Sequence, residues 1–403
     1  MRALIDWSYD LLSQNEKRLL ARLSVFLGGW ALEAAESVTS GSPLLGQGGN
    51  IEDWEVLDLL MALEDKSLVL AEQPREGRTR YRLLETVRQY ARDRLLENRE
   101  EATWRDRHRD HFLALAEEGE PNLTGPDQVG WLQHLEIEHD NLRAALERSA
   151  QEEEVGEVGL RLSGSLWRFW LVRGHLSEGR IRLQGALDSR GAHGRTGARG
   201  KALNAAGLLA LRQGDYLAAA RPLYEESLSI QRAIGDRLGI ALTLGNLGTI
   251  AEEQGQYAVA RPLYEEGLAV CRELGDQQGT WLALYNLGLV AVGQSDYRSA
   301  RALLEESLTV CRELDDRRGI AFVLESLANL CSLQEGAERA AQLWGVAQSL
   351  REAIGAPMPP KEREKYDLAI AAVRQALGEE AFSAAWAEGR ALPLEQAIAQ
   401  ALE

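Results

Sequence analysis

The sequence predicts a mainly α-helical protein: a stack of paired helices preceded by a small domain of helices and a β-hairpin. Three observations predict it. The runs RPLYEESLSIQRAIGDRLG, RPLYEEGLAVCRELGDQQG and RALLEESLTVCRELDDRRG repeat one another, with Pro222 and Pro262 40 residues apart and Cys271 and Cys311 again 40 apart. A period of that size marks a stacked helical array, whose units bury their cores only against neighbours. From residue 99 onward apolar stripes recur at helical spacing and no run reads as a strand. Ahead of them, Ser67–Glu72 and Thr79–Leu83 are short strand-like runs around Pro74-Arg75-Glu76-Gly77, a hairpin-loop composition.

Bulk composition sets outer limits. The 403 residues leave room for two or three domains. A net charge of −17 opposes general nucleic-acid binding, because phosphate contacts need a basic surface. Only 5 of the 45 basic residues are Lys, an Arg excess that reads as codon bias. No run approaches the roughly 18–20 apolar residues that span a bilayer. The opening MRALIDWSYDLL enters an amphipathic helix directly and is no signal peptide. Three cysteines point to a reducing, cytoplasmic setting, and the equivalent repeat positions of Cys271 and Cys311 suit packing.

In chain order, residues 1–40 read as three short helices. Leu4, Trp7, Leu11 and Leu12, then Leu19, Leu20, Leu23 and Phe26, keep helical spacing. Ser13 stands three residues before Glu16, a capping box that starts the second helix. Gly28-Gly29 breaks the chain, 41–50 is loop-like, and Glu55–Glu64 is helical again. After the hairpin a helix runs from Glu85 to about Asn98. Helices, a hairpin and a closing helix in this order make a winged helix over residues 1–98. A helical connector over 99–195 follows, with stripes at Trp104–Glu118, Val129–Ala150 and Gly159–Arg173, and 189–200 reads as a surface loop. The array occupies 196–356. Pro357, Pro359 and Pro360 punctuate it, and a C-terminal helical cap fills 357–403.

Each repeat reads as two antiparallel helices, A and B. Gly248 to Ala260 is 12 residues and Ala260 to Tyr264 is 4; Gly288, Ala300, Leu304 and Ala328, Ala340, Trp344 keep that spacing. The first unit, with Gly207, Ala220 and Tyr224, holds one extra residue. Small residues let the two helices approach, and the large residue four positions on fills the gap. The pattern resembles the tetratricopeptide repeat in a form of about 40 residues. That resemblance implies a right-handed α-solenoid with helix A on the concave face, where a protein or peptide would bind. The face would carry Lys201, Asn204, Leu208 and Arg212; Leu242, Asn246, Thr249 and Glu252; Leu282, Tyr285, Asn286 and Leu289; and Phe322, Glu325 and Asn329. The third unit is apolar there, which fits either an external partner or cover by the chain's own C-terminal helices. Asn246 and Asn286 would bond a ligand backbone or a neighbouring helix end.

WSYDLLSQNEKRLLARLSVF, DLLMALEDKSLV and RYRLLETVRQYA in that order resemble the winged helix of bacterial STAND-class signalling ATPases and AfsR- and LuxR-type regulators. The ending PPKEREKYDLAIAAVRQALGEEAFSAAWAEGRALPLEQAIAQALE resembles the tail of bacterial members. The resemblance implies a two-state switch, in which a P-loop domain, the winged helix and a repeat sensor act in series. It places Leu83, Leu84 and Glu85 at the family's Met-His-Asp, so Leu84 replaces the nucleotide-contacting His and cannot donate a hydrogen bond. Arg80, Arg82 and Arg88 would face a phosphate, an acidic partner or solvent. A Walker A string, G-x-x-x-x-G-K-[ST], is missing, so the chain is expected to be no enzyme and to need no cofactor. Met1 falls where the family's ATPase domain would have just ended, so an ATPase domain is expected in cis in a longer reading frame or in trans. A free-standing repeat adaptor is the alternative. A DNA-binding regulator is a third, opposed by the acidic, apolar candidate recognition helix EDWEVLDLLMALED.

No metal-ligand or catalytic set emerges. His108 and His111 lie i, i+3 among Arg105, Arg107 and Arg109, which reads as a solvated face. His134 and His139, five apart, share no helix face, and His139 reads as structural. Glu225-Glu226, Glu265-Glu266 and Glu305-Glu306 read as solvated helix-B positions.

Overall fold

The computed structural model describes residues 2–41, 50–72, 79–125, 127–151, 156–334, 336–355, 358 and 360–402. The chain divides into two compact units, residues 1–215 and 216–403.

The first unit opens with α1 (Arg2–Asp10), α2 (Gln14–Leu23), β1 (Trp30–Ala31), α3 (Leu32–Thr39), α4 (Asp53–Asp65), β2 (Leu70–Glu72), β3 (Arg80–Arg82) and α5 (Glu85–Glu97). Ser13 and Glu16 form the expected capping box, at 2.6 and 3.3 Å. The sheet order is β1-β3-β2, antiparallel throughout, with Tyr81 opposite both Trp30 and Ala71. The β1 strand is absent from the sequence reading, because two residues are too short to show a period of two; buried Trp30 pins it. The hairpin tip 74–77, the loop 42–49 and Pro357 and Pro359 lie outside the described residues.

Helices α6 (Glu101–Asn122), α7 (Gln128–Ile137), α8 (His139–Gln151), α9 (Gly156–Arg173), α10 (Leu176–Asp188) and α11 (Gly197–Arg212) complete this unit. Val129–Ala150 is two helices, broken at Glu138. The expected loop 189–200 ends early: Thr196 caps α11 by accepting from Arg199 N at 3.2 Å. A Cβ on Gly156 would meet Ala192 N at 2.5 Å, so the 190–192 turn packs directly on α9. His108 also departs from expectation. It is buried, its ring between Phe26 and Phe112 and its Nε2 3.3 Å from Asn141 Oδ1. Burial pushes its pKa down to about 3. His111 meets Ser37 Oγ at 3.0 Å, and burial lowers its pKa too. Arg spacing misled here, because α6 turns that face inward against α3 and α8.

Asn141 on α8 fixes the winged helix to the helices behind it. It accepts from Leu27 N at 2.8 Å and donates to Gly29 O at 2.7 Å and Glu138 Oε2 at 2.8 Å. Arg22 crosses the same interior, donating to Thr39 O at 2.7 Å with its guanidinium 4.0 Å from the Trp104 ring centroid.

The second unit starts with a π-helical turn, Tyr216–Ala220, which absorbs the extra residue of the first repeat. Then come α12 (Arg221–Ile234), α13 (Arg237–Glu253), α14 (Tyr257–Leu274), α15 (Gln277–Gly293), α16 (Tyr297–Glu313), α17 (Arg317–Leu333) and α18 (Ala337–Ala353), followed by α19 (Pro360–Leu377), α20 (Glu379–Ala391) and α21 (Leu394–Ala401). Helix A of the second, third and fourth repeats starts at an Asp cap: Asp236, Asp276 and Asp316 accept from Gly239, Gly279 and Gly319 N at 3.0, 2.9 and 2.8 Å. The preceding αL position is Gly235, Gly275 and then Asp315 at φ 49°. Close approach accounts for the invariant small position. A Cβ on Gly248 would meet the Tyr264 ring at 2.5 Å, and one on Gly288 would meet Leu304 at 2.8 Å. Cys271, Cys311 and Cys331 are buried, and burial pushes the Cys311 thiol up to about 12.

Candidate functional site

Helices α13, α15 and α17 touch one another across successive repeats. Their shared face shows how one scaffold position changes chemistry every 40 residues. Leu242, Leu282 and Phe322 are equivalent, as are Gly245, Tyr285 and Glu325, and Thr249, Leu289 and Asn329. Leu242 and Leu282 are about half exposed, at 56% and 47%, so an open apolar step runs from one repeat to the next.

Two recesses form on this face. Leu242, Asn246 and Thr249 of α13 and Leu282 and Asn286 of α15 line a notch of about 140 Å³, with Tyr264 beneath. Thr249 Oγ1 lies 3.2 Å from Tyr264 Oη, which donates to Glu252 Oε2 at 2.9 Å. Burial raises the pKa of both the Tyr264 phenol and the Glu252 carboxyl. The second recess, about 390 Å³, takes Glu252, Tyr257, Tyr285, Leu289, Phe322, Glu325 and Asn329, with Met358, Lys365 and Tyr366 supplied by the C-terminal segment. Glu325 is buried: it accepts two bonds from Arg351 at 2.5 and 2.8 Å, and the Arg351 guanidinium lies 4.6 Å from the Phe322 ring centroid. The C-terminal segment therefore lines the recess that runs from the second to the fourth repeat, while Leu242 and Leu282 stay about half exposed. Beyond Tyr366 a larger cavity of about 980 Å³ lies among α18, α19 and α20, lined in part by Arg351, Ile370, Arg374 and Trp386.

The remaining candidates lie in the first unit. Lys201 on α11 pairs with Glu120, Asn204 and Leu208 are half-buried, and Arg212 is exposed. Gly200-Lys201 does not rescue a phosphate loop, since Arg195 and Ala202 stand where Gly and a hydroxyl residue are needed. Around the wing, Arg80 pairs with buried Glu138 and Arg82 pairs with Glu72 across the ladder. Arg88 bonds Glu85 at 2.8 and 2.6 Å and holds that carboxyl below its ordinary pKa. Each of these guanidinium groups has an internal carboxylate, and Leu84 is exposed at the start of α5. An open apolar stripe of this domain lies on α4. Trp54, Leu57 and Met61, spaced i, i+3 and i+7, are 74%, 38% and 55% exposed, beside Asp53, Asp58 and Glu64. Among the described residues no helix is long and apolar enough to cross a membrane.

Residues 12–96 match the family model of the winged helix-turn-helix domain, and residues 182–273 and 282–351 match that of the tetratricopeptide repeat. The chain therefore combines a winged helix with tetratricopeptide repeats, both non-catalytic folds. In that domain content it resembles bacterial HTH-type regulators, as the sequence implied. One relative, of Mycobacterium tuberculosis strain H37Rv, bears the name "Putative HTH-type transcriptional regulator Rv0890c"; it is 36% identical over 261 residues, 62% of this chain and 28% of that protein. A second from the same strain, an uncharacterized protein, is 42% identical over 113 residues, 27% of this chain and 26% of its own. The chain thus spans less than a third of the curated relatives it matches. Among solved structures, the Signal Transduction ATPase with Numerous Domains protein with a tetratricopeptide repeat sensor from Pyrococcus horikoshii aligns at TM-score 0.48 and 15% identity, covering 98% of this chain and 63% of that one.

Proposed function

We propose that this chain is the non-catalytic sensing region of a transcriptional regulator or signal-transduction ATPase, with a protein or peptide held on helix A of the repeats. The open Leu242–Leu282 step carries this reading. Two adjoining recesses of mixed aromatic, amide and carboxylate character continue it, the chemistry that grips an extended or helical peptide. The winged helix serves as a docking piece and not as a DNA reader. Its α4 presents an apolar stripe flanked by carboxylates, which repels phosphate and suits a protein surface such as a P-loop domain. The name of the Mycobacterium tuberculosis relative, an HTH-type transcriptional regulator, supports this reading. Occupancy of the array would shift how the winged helix docks, which is the coupling a two-state switch requires.

The test is to co-purify the chain with a P-loop ATPase encoded beside it and compare Trp54→Glu/Met61→Glu with wild type. Loss of the complex in the variant, with no salt-dependent duplex DNA binding by wild type, supports the reading. Retained complex, or DNA affinity that falls steeply with salt, refutes docking through α4. A partner still held by the array after loss of the ATPase would favour a free-standing adaptor.

A further inference from the structure

Glu136 near the end of α7, His139 at the start of α8 and His175 at the turn into α10 converge inside the first unit, one ligand atom from each lying within 4.8 Å of the others. Three of their atoms, Glu136 Oε2, His139 Nε2 and His175 Nε2, are buried without a hydrogen bond. Native interiors leave few polar atoms in that state, and three facing one another is a costly arrangement. His139 is itself only 7% exposed. His175 Nε2 stands 3.5 Å from Glu136 Oε1, and His139 Nε2 stands 3.4 Å from Glu178 Oε1. Ligands about 2.0–2.1 Å from a tetrahedral ion are separated by about 3.3–3.5 Å, so these pairs already have the edge length of such a site.

We propose that Glu136, His139 and His175 bind a divalent cation of the zinc type, with a fourth position for water or Glu178. Two imidazoles and one carboxylate are a nitrogen–oxygen set suited to zinc and its neighbours rather than to calcium or magnesium. Arg143 holds Glu178 at 2.7 and 2.6 Å, orienting it beside the site. Phe169 packs against both imidazoles, with ring centroids 5.1 and 5.7 Å away. Arg173, 3.5 Å from Glu136 Oε2, is the competing cation; it reaches in from the exposed end of α9 and can be displaced into solvent. A bound ion would brace α7, α8 and α10 within two residues of Glu138 and Asn141, the residues that hold Arg80 and the Leu27–Gly29 segment.

The test uses the full chain, stripped with a chelator and titrated with cobalt(II), then zinc(II). One equivalent of cobalt with the intense visible bands of a four-coordinate ion, displaced by zinc, is expected. His139→Ala and His175→Ala should each weaken uptake by more than about a hundredfold and Glu136→Gln by at least about tenfold. His134→Ala, on the exposed face of α7, should change nothing. Glu136→Gln is nearly isosteric, so its circular dichroism should match wild type and separate lost binding from lost folding. The proposal fails if stripped wild type takes up no stoichiometric cobalt, which would leave a buried water or an imidazole pair at the site. It fails equally if uptake survives in the His139→Ala/His175→Ala variant.

Discussion

Gln231, Cys271, Cys311 and Arg351 occupy one position of the repeat and meet three different demands. Gln231 accepts from Thr243 at 2.8 Å, the two cysteines fill space beside Gly279 and Gly319, and Arg351 neutralises Glu325. The first unit works the other way: Asn141, Arg22 and His108 each occur once, and each is positioned by partners distant in sequence. Repetition fixes the backbone of the array and frees its side chains to vary. In the winged-helix unit the side chains themselves fix how the segments meet.

The largest expected effect falls where the array departs from its own period. Arg351→Ala removes the guanidinium that neutralises buried Glu325 and should cost about 3–5 kcal/mol in urea denaturation. Glu325→Leu/Arg351→Met should recover most of that loss, and Cys311→Ala at the equivalent position should cost only about 1–2 kcal/mol. Equal costs at residues 311 and 351 would mean that the repeat, and not the local pair, sets the energetics.

Next is the pH response of the first unit. The folded-state pKa of His108 is depressed from 6.5 to about 3, so its contribution to stability is complete above pH 6.5 and is lost as pH falls toward 3. In that window the unfolded chain binds a proton that the folded chain refuses, at roughly 1.4 kcal/mol per pH unit. Urea midpoints between pH 7 and 5 should fall with that slope in wild type and lose most of it in His108→Gln. An unchanged slope in the variant would place the acid sensitivity elsewhere.

Gly248→Ala tests close approach within a repeat and should cost about 1–3 kcal/mol, because its Cβ meets the Tyr264 ring at 2.5 Å. Tyr264→Leu in the same chain should return part of it. The smallest effect has the opposite sign. Asp315 at φ 49° stands where the neighbouring repeats have glycine, and Ser295 at φ 60° stands where the preceding repeat has Gly255. Asp315→Gly should therefore raise stability by up to about 1 kcal/mol in the same assay.

The same contrast explains what was legible in the sequence. The 40-residue period exposed the helix pairs, the Gly–Ala–Tyr spacing and the buried cysteines, because each is written more than once. Strand-like patterning exposed β2 and β3 but not β1, whose two residues are held by the pairing of Trp30 with Tyr81. His108 read as solvated because its Arg neighbours dominate the local pattern; its burial comes from Phe26 and Phe112. Glu325 read as an open binding residue because Arg351, 26 positions on, is a separate helix in sequence. His139 read as structural and His175 gave no signal for the same reason: they belong to different helical hairpins, 36 residues apart. Residues that meet once, across long separations, leave no periodic trace.

The most direct measurement is photocrosslinking from a benzoyl-phenylalanine placed at Leu282, on the open face of α15, compared with the same probe at exposed Val259 on α14. If helix A of the repeats holds a partner, the Leu282 probe captures a discrete protein that Leu242→Glu abolishes, and the Val259 probe does not capture it. Capture from Val259 alone, or capture from Leu282 that survives Leu242→Glu, would contradict it.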